Sequence, residues 1–79
     1  MTGVPRYLVE TPALAAPSVD AAVALAARRY PEVALDVPST DDAGERTVWL
    51  CRAPSRAHVG RWAAAAGLRP TSLRRLDGT

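Results

Sequence analysis

The first half of the chain alternates between short β-type and helical patterns of apolar residues. Arg6–Glu10 is rich in β-favouring side chains, and Thr11-Pro12 ends it, which predicts a strand. Apolar residues then recur at helical spacing up to Tyr30, before the helix-breaking Pro31. Ser18 is a good N-cap residue, so we expect this helix to begin there, with Asp20 in its first turn.

The second half repeats the strand and helix patterns. Val33 to Val37 alternates as a strand that Pro38 confines to a sheet edge, and Arg46–Arg52 is a further strand after the turn at Asp41–Gly44. Ser55 should cap a second helix, for which Gly67 supplies the C-terminal stop. The last predicted strand is Thr71–Leu76, with Asp77–Thr79 as a tail.

The order βαββαβ predicts an α+β domain of the ferredoxin-like class, a four-stranded antiparallel sheet with both helices on one face. Its strands are apolar on both faces, because Tyr7–Val9 and Val48–Leu50 are uninterrupted apolar runs. An antiparallel sheet that is open to water should alternate instead. We therefore expect a homodimer that packs sheet against sheet as an α+β barrel, with a monomer that exposes a few apolar residues as the alternative.

Length and composition limit the possibilities further. The chain has 79 residues, so we treat residues 1–79 as one domain, with a core too small to be robust alone. A single cysteine excludes an internal disulfide and, with no export signal, favours the cytoplasm. No apolar run reaches the roughly 18 residues of a membrane span.

The charges are unevenly distributed. All ten basic residues are arginine. Residues 1–44 carry three arginines against six acids, a net charge of −3, whereas residues 45–79 carry seven against two, a net charge of +5. The asymmetry could steer an anionic ligand or bring two copies together, although a solvated arginine face is the simpler explanation.

Six residues are candidates for chemistry. Glu10 and Asp36 are carboxylates close to apolar strands, where they are costly unless paired or bound to a metal. Trp49 and Trp62 are core anchors or the walls of a ligand pocket. If Val48 and Leu50 face the helices, Trp49 and Cys51 lie on the opposite side of the sheet.

The remaining two candidates have simple structural interpretations as well. Cys51 is predicted to be a small buried hydrophobic residue, because the sequence places no base beside it that could form a reactive thiolate. His58, the only histidine, lies beside the apolar stripe of the second helix. It is either an exposed helix residue or a base or ligand. Phosphate-binding glycine loops, serine-nucleophile elbows and HExxH are absent, and the missing phenylalanine argues against an RNA-binding sheet.

Several short motifs resemble a family of small nickel-binding ferredoxin-like proteins, many of which are catalogued only as a domain of unknown function. The motifs span nearly the whole chain: Arg6–Glu10, Asp41-Asp42, Thr47–Ser55, Ala65–Leu68 and Leu73–Asp77. The resemblance implies a dimeric α+β barrel and, in some members, a divalent metal held by His, Glu and neighbouring groups.

The metal positions depart from the family pattern. Glu10 matches the family's strand-end glutamate, while Asp36 lies near the place of a histidine in the second strand. Trp62 is the nearest match to a histidine of the second helix, and Trp49 replaces a cysteine, with Cys51 two residues on. The resemblance thus implies nickel or another divalent metal at Glu10 and Asp36, beside a pocket that has become apolar.

Three functions follow as hypotheses. The first is a dimeric, non-catalytic protein that binds a metal ion or small molecule. The second is a small-molecule enzyme of the cyclase, isomerase or cofactor-free monooxygenase type, with a Trp-lined cavity and Glu10, Asp36 or His58 as general base. The third is an accessory subunit whose sheet face binds another protein.

Overall fold

The computed structural model describes residues 4–76 of the chain. Its elements are β1 (Arg6–Pro12), α1 (Ala16–Arg29), β2 (Ala34–Leu35), β3 (Ser39–Thr40), β4 (Arg46–Arg52), α2 (Arg56–Ala65) and β5 (Ser72–Arg75). They form one antiparallel sheet in the order β2-β4-β1-β5, with β3 also paired to β4. The predicted α+β class is confirmed, and the arrangement is compatible with a ferredoxin-like fold. The predicted tail lies outside the described residues.

Two long central strands decide which face of the sheet is covered. Every second residue of β1 and β4 is buried, and the helices, with Val33, Ala53 and Leu68 from the connecting segments, complete one apolar core. The buried strand residues are Tyr7, Val9, Thr11, Thr47, Trp49 and Cys51. Trp49 and Cys51 therefore face the helices and Val48 and Leu50 face away, which is the reverse of the orientation considered from the sequence.

The predicted second strand is divided in two. Leu35 pairs with Cys51, and the backbone N–H of Asp36 still donates to the carbonyl of Leu50 at 2.9 Å. Pairing then resumes between Ser39 and Val48. From Asp36 to Ser39 the chain advances three residues, whereas β4 advances only two, from Leu50 to Val48. The extra residue forms a β-bulge. In an unbroken register Val37 would lie opposite Trp49 and face the core; with the bulge it is 91% exposed.

The first helix begins earlier than its predicted cap. Ala15, not Ser18, occupies the N-cap position, and no side chain caps the helix. Pro17 lies within the first turn, where its fixed φ suits the helix and its missing N–H costs nothing. The proline therefore decides the start, and Ser18 lies inside the helix.

The second helix ends as its sequence predicts. Gly67 has a φ of +74°, a left-handed conformation that side chains with a Cβ disfavour. The N–H of Leu68 donates to the carbonyl of Ala63 at 2.9 Å, and that of Gly67 to Ala64 at 3.1 Å. These two bonds make a Schellman motif, and Leu68 is buried beyond it.

Neither helix within residues 4–76 has the length and apolar character needed to cross a membrane.

Candidate functional site

The two tryptophans form the centre of the core. Their ring centroids are 5.3 Å apart in an edge-to-face arrangement, and neither side chain is accessible to solvent. Trp49 Nε1–H donates to Thr11 Oγ1 at 3.1 Å, and Trp62 Nε1–H donates to the carbonyl of Ala22 at 3.0 Å. Both polar atoms are satisfied, so the pair joins the sheet to both helices. A ligand would reach these rings only if the helices moved away.

Cys51 lies on the same covered face of the sheet and is fully buried. Burial, with a smaller contribution from the Asp36 carboxylate, raises the pKa of the Cys51 thiol from about 9 to about 12. The thiol is protonated at neutral pH and shielded from reagents, so it has the properties of a packing residue.

His58 is half-buried in the first turn of α2, and its environment differs from that of the tryptophans. Its Nδ1 lies 2.7 Å from the hydroxyl oxygen of Ser55. This contact explains why Ser55, at the predicted N-cap position, makes no capping hydrogen bond to the helix backbone. On its other side His58 borders a shallow cavity of about 250 Å³ shared with Tyr30 and Arg61. The predicted ligand-pocket residues are thus divided between the core and this surface.

The two predicted metal-binding carboxylates lie on different segments of the sheet, with β4 between them. Glu10 lies on the uncovered face of β1, where its Oε1 is 3.3 Å from the guanidinium of Arg46. Asp36 follows β2 at the edge of the sheet and borders a cavity against α1. Among residues 4–76, no three His, Cys, Asp or Glu side chains are placed to hold a metal ion. A nickel site at Glu10 or Asp36 would therefore need ligands beyond those that residues 4–76 of one chain bring together.

The uncovered side of the sheet, which we call the open face, has an apolar centre. Leu8 and Leu50 are register partners on β1 and β4, and Val48 lies beside Glu10 in the next row. All three apolar side chains are half-buried without any covering element in the described part of the chain. They form a continuous patch across the two central strands.

Arginines surround this apolar centre. Four of them share the open face by strand register: Arg6, Arg46, Arg52 and Arg74. Glu10 is the acidic residue of the same face on β1, and it pairs with Arg46. Among the described residues of β1, β4 and β5, basic side chains therefore predominate on the open face. The excess of basic residues noted in the second half of the sequence is thus partly concentrated here.

Thr11 and Thr47 are the structural residues that the sequence analysis missed. Both are buried on the covered face, where Thr11 accepts the indole N–H of Trp49 and Thr47 Oγ1 accepts the N–H of Leu14 at 3.3 Å. A signal for them was present, because each lies two residues from an apolar core position and therefore on the same side of its strand. Comparison with known proteins adds nothing to this geometry: no family model, curated protein or solved structure matches the chain.

Proposed function

We propose that the protein is a non-catalytic interaction module whose open face binds an acidic surface of another protein. The observation that supports this is the composition of that face, where Leu8, Val48 and Leu50 remain half-exposed inside a border of arginines. Contiguous apolar patches with polar rims are typical of protein contact sites. Binding would remove these aliphatic side chains from water, at about 25 cal/mol for each Å² buried.

The charge of the face defines the partner. Its border of arginines favours a surface on which carboxylates surround an apolar contact. Arginine is suited to this role because its planar guanidinium binds a carboxylate through two parallel hydrogen bonds. Arg52 lies on β4 and Arg74 on the outer strand β5, so they would contact different parts of the same partner.

A homodimer that packs sheet against sheet is the second candidate, and the same apolar centre favours it. Two copies of the face would bring two arginine-rich borders together. Like charges that are brought together at an interface oppose association. The dimeric barrel, with a nickel site shared between copies, is therefore a weaker proposal than a complex with an acidic partner.

The first experiment measures mass and binding on the same sample. Light scattering between about 10 and 500 µM should give the monomer mass of 8.4 kDa. An amphipathic 18-residue Leu/Glu peptide, titrated into ¹⁵N-labelled protein, should shift the amide signals of β1, β4 and β5. Arg52→Gln with Arg74→Gln should weaken binding about tenfold, whereas Arg69→Gln, exposed in the loop after α2, should leave it unchanged.

Each other outcome decides between the candidates. A mass of twice 8.4 kDa that Leu50→Arg reduces to the monomer would favour the homodimer. Saturable nickel binding by chelator-treated protein, lost in Glu10→Ala, would then support the shared metal site. A monomer in which the peptide shifts no open-face signal would refute both candidates.

A further inference from the structure

A second apolar surface lies at the other side of the molecule, between α1 and the edge strand β2. Two adjoining cavities of about 350 and 450 Å³ share Val23 and Leu35 as lining residues. We call them together the α1–β2 groove, defined by Val19, Val23, Ala27, Leu35, Val37 and Pro38. The individual volumes lie at the lower end of the range for ligand pockets.

The β-bulge creates this surface. It moves Val37 out of register, so that 91% of the side chain is in contact with water, and Val23 on the facing helix is 36% exposed. A valine turned away from the core by an irregular strand stabilises nothing within the chain. β-Bulges commonly redirect a side chain beside a functional site.

The charge of the groove is opposite to that of the open face. Asp20 and Asp36 line it, and no basic side chain does so. A partner must therefore combine apolar side chains with basic ones, because carboxylates bordering an apolar contact attract cations and repel anions.

The backbone of the edge decides the form of the partner. Strand addition needs a regular row of N–H and C=O groups, but Pro38 has no N–H to donate and the bulge interrupts the row. A helix does not use these groups, since its own backbone is already hydrogen-bonded. We propose that the α1–β2 groove binds the apolar side of a basic amphipathic helix from another protein.

The test uses a pair of matched peptides, an 18-residue amphipathic Leu/Lys helix and its Leu/Glu counterpart. In a ¹⁵N titration the Leu/Lys peptide should shift the amide signals of Val23, Leu35 and Val37. Val37→Asn should raise its Kd about tenfold, while Val4→Asn, at an exposed valine that does not line the groove, should not change it.

A second pair of variants tests the charges. Asp20→Asn with Asp36→Asn should weaken the Leu/Lys peptide several-fold, whereas Asp42→Asn, in the exposed turn before β4, should have no effect. All variants lie on the surface, so circular dichroism should show unchanged folding. The Leu/Glu peptide should not perturb the groove, which separates this proposal from the one for the open face.

Three results would overturn the proposal. One is a Leu/Lys peptide that shifts amide signals elsewhere in the protein but not those of the groove residues. Another is a Kd that Val37→Asn leaves unchanged. The third is a concentration-dependent increase in mass that Val37→Asn abolishes, because the occupant would then be a second copy of this chain.

Discussion

Replacing Thr11 by valine removes one hydroxyl from the core while nearly conserving the shape of the side chain. Thr11 is 1% exposed, and its Oγ1 accepts the indole N–H of Trp49 at 3.1 Å. The same hydroxyl lies 3.5 Å from the carbonyl of Thr47, a much weaker contact. In Thr11→Val the indole N–H stays in the core with no partner and no access to water.

The cost follows from the desolvation of that N–H. A buried donor left unsatisfied costs about 1–3 kcal/mol, and the added methyl group recovers part of it. We expect a net loss of about 1–2 kcal/mol, a substantial fraction of the roughly 4–12 kcal/mol typical of a domain of this length. With a urea m-value of about 1–3 kcal/mol per M, the unfolding midpoint should fall by about 1 M.

The assay is urea unfolding followed by tryptophan fluorescence and by far-ultraviolet circular dichroism. Thr71→Val is the matched control, because the hydroxyl of Thr71 is exposed and donates to the carbonyl of Glu10 at 3.2 Å. Its loss should cost less than about 0.5 kcal/mol. If Thr11→Val were no more destabilising than this control, Trp49 would have to be reachable by water. The buried position assigned to it would then be refuted, and its predicted role as a pocket wall would become plausible again.

Two further predictions concern single positions in the fold. Gly67→Ala should destabilise the protein by about 1 kcal/mol, because the φ of Gly67 is +74°. Gly60→Ala, inside α2 with open space where a Cβ would lie, should stabilise the protein by up to about 1 kcal/mol. Equal thermal shifts for the two variants would contradict the left-handed cap. The raised pKa of Cys51 stabilises the fold below the unfolded thiol pKa of about 9, and this stabilisation is lost as pH rises towards 12. The free energy of unfolding should therefore fall by up to about 1.4 kcal/mol per pH unit in that interval, relative to Cys51→Ala, and parallel pH profiles would show that the thiol is not buried.

The sequence predicts the succession of strands and helices well, because periodicity, Pro31 and Gly67 act locally. It does not predict which side of β4 faces the helices. Val48, Trp49 and Leu50 are all apolar, so either orientation gives an apolar core. The orientation becomes evident only in the structure, where Thr11 and Thr47 are buried on the same side of the sheet as Trp49.

The candidate site was harder to predict than the fold. Glu10 and Asp36 are both close to apolar strands in sequence, but β4 lies between their two segments, and Asp36 borders the α1–β2 groove. The exposure of Val37 comes from the bulge after β2. Alternation along a strand contains no information about an inserted residue, and the bulge becomes visible only from the pairing with β4.

The position of β1 in the sheet has a consequence for how the protein folds during synthesis. β1 is a central strand, yet both of its neighbours, β4 and β5, leave the ribosome after it. Until they emerge, an apolar strand and α1 have no sheet to join, and the hydrogen bond from the Leu76 N–H to the Arg6 carbonyl forms only after β5 has been made. The sheet should therefore form only after β4 and β5 have been synthesised.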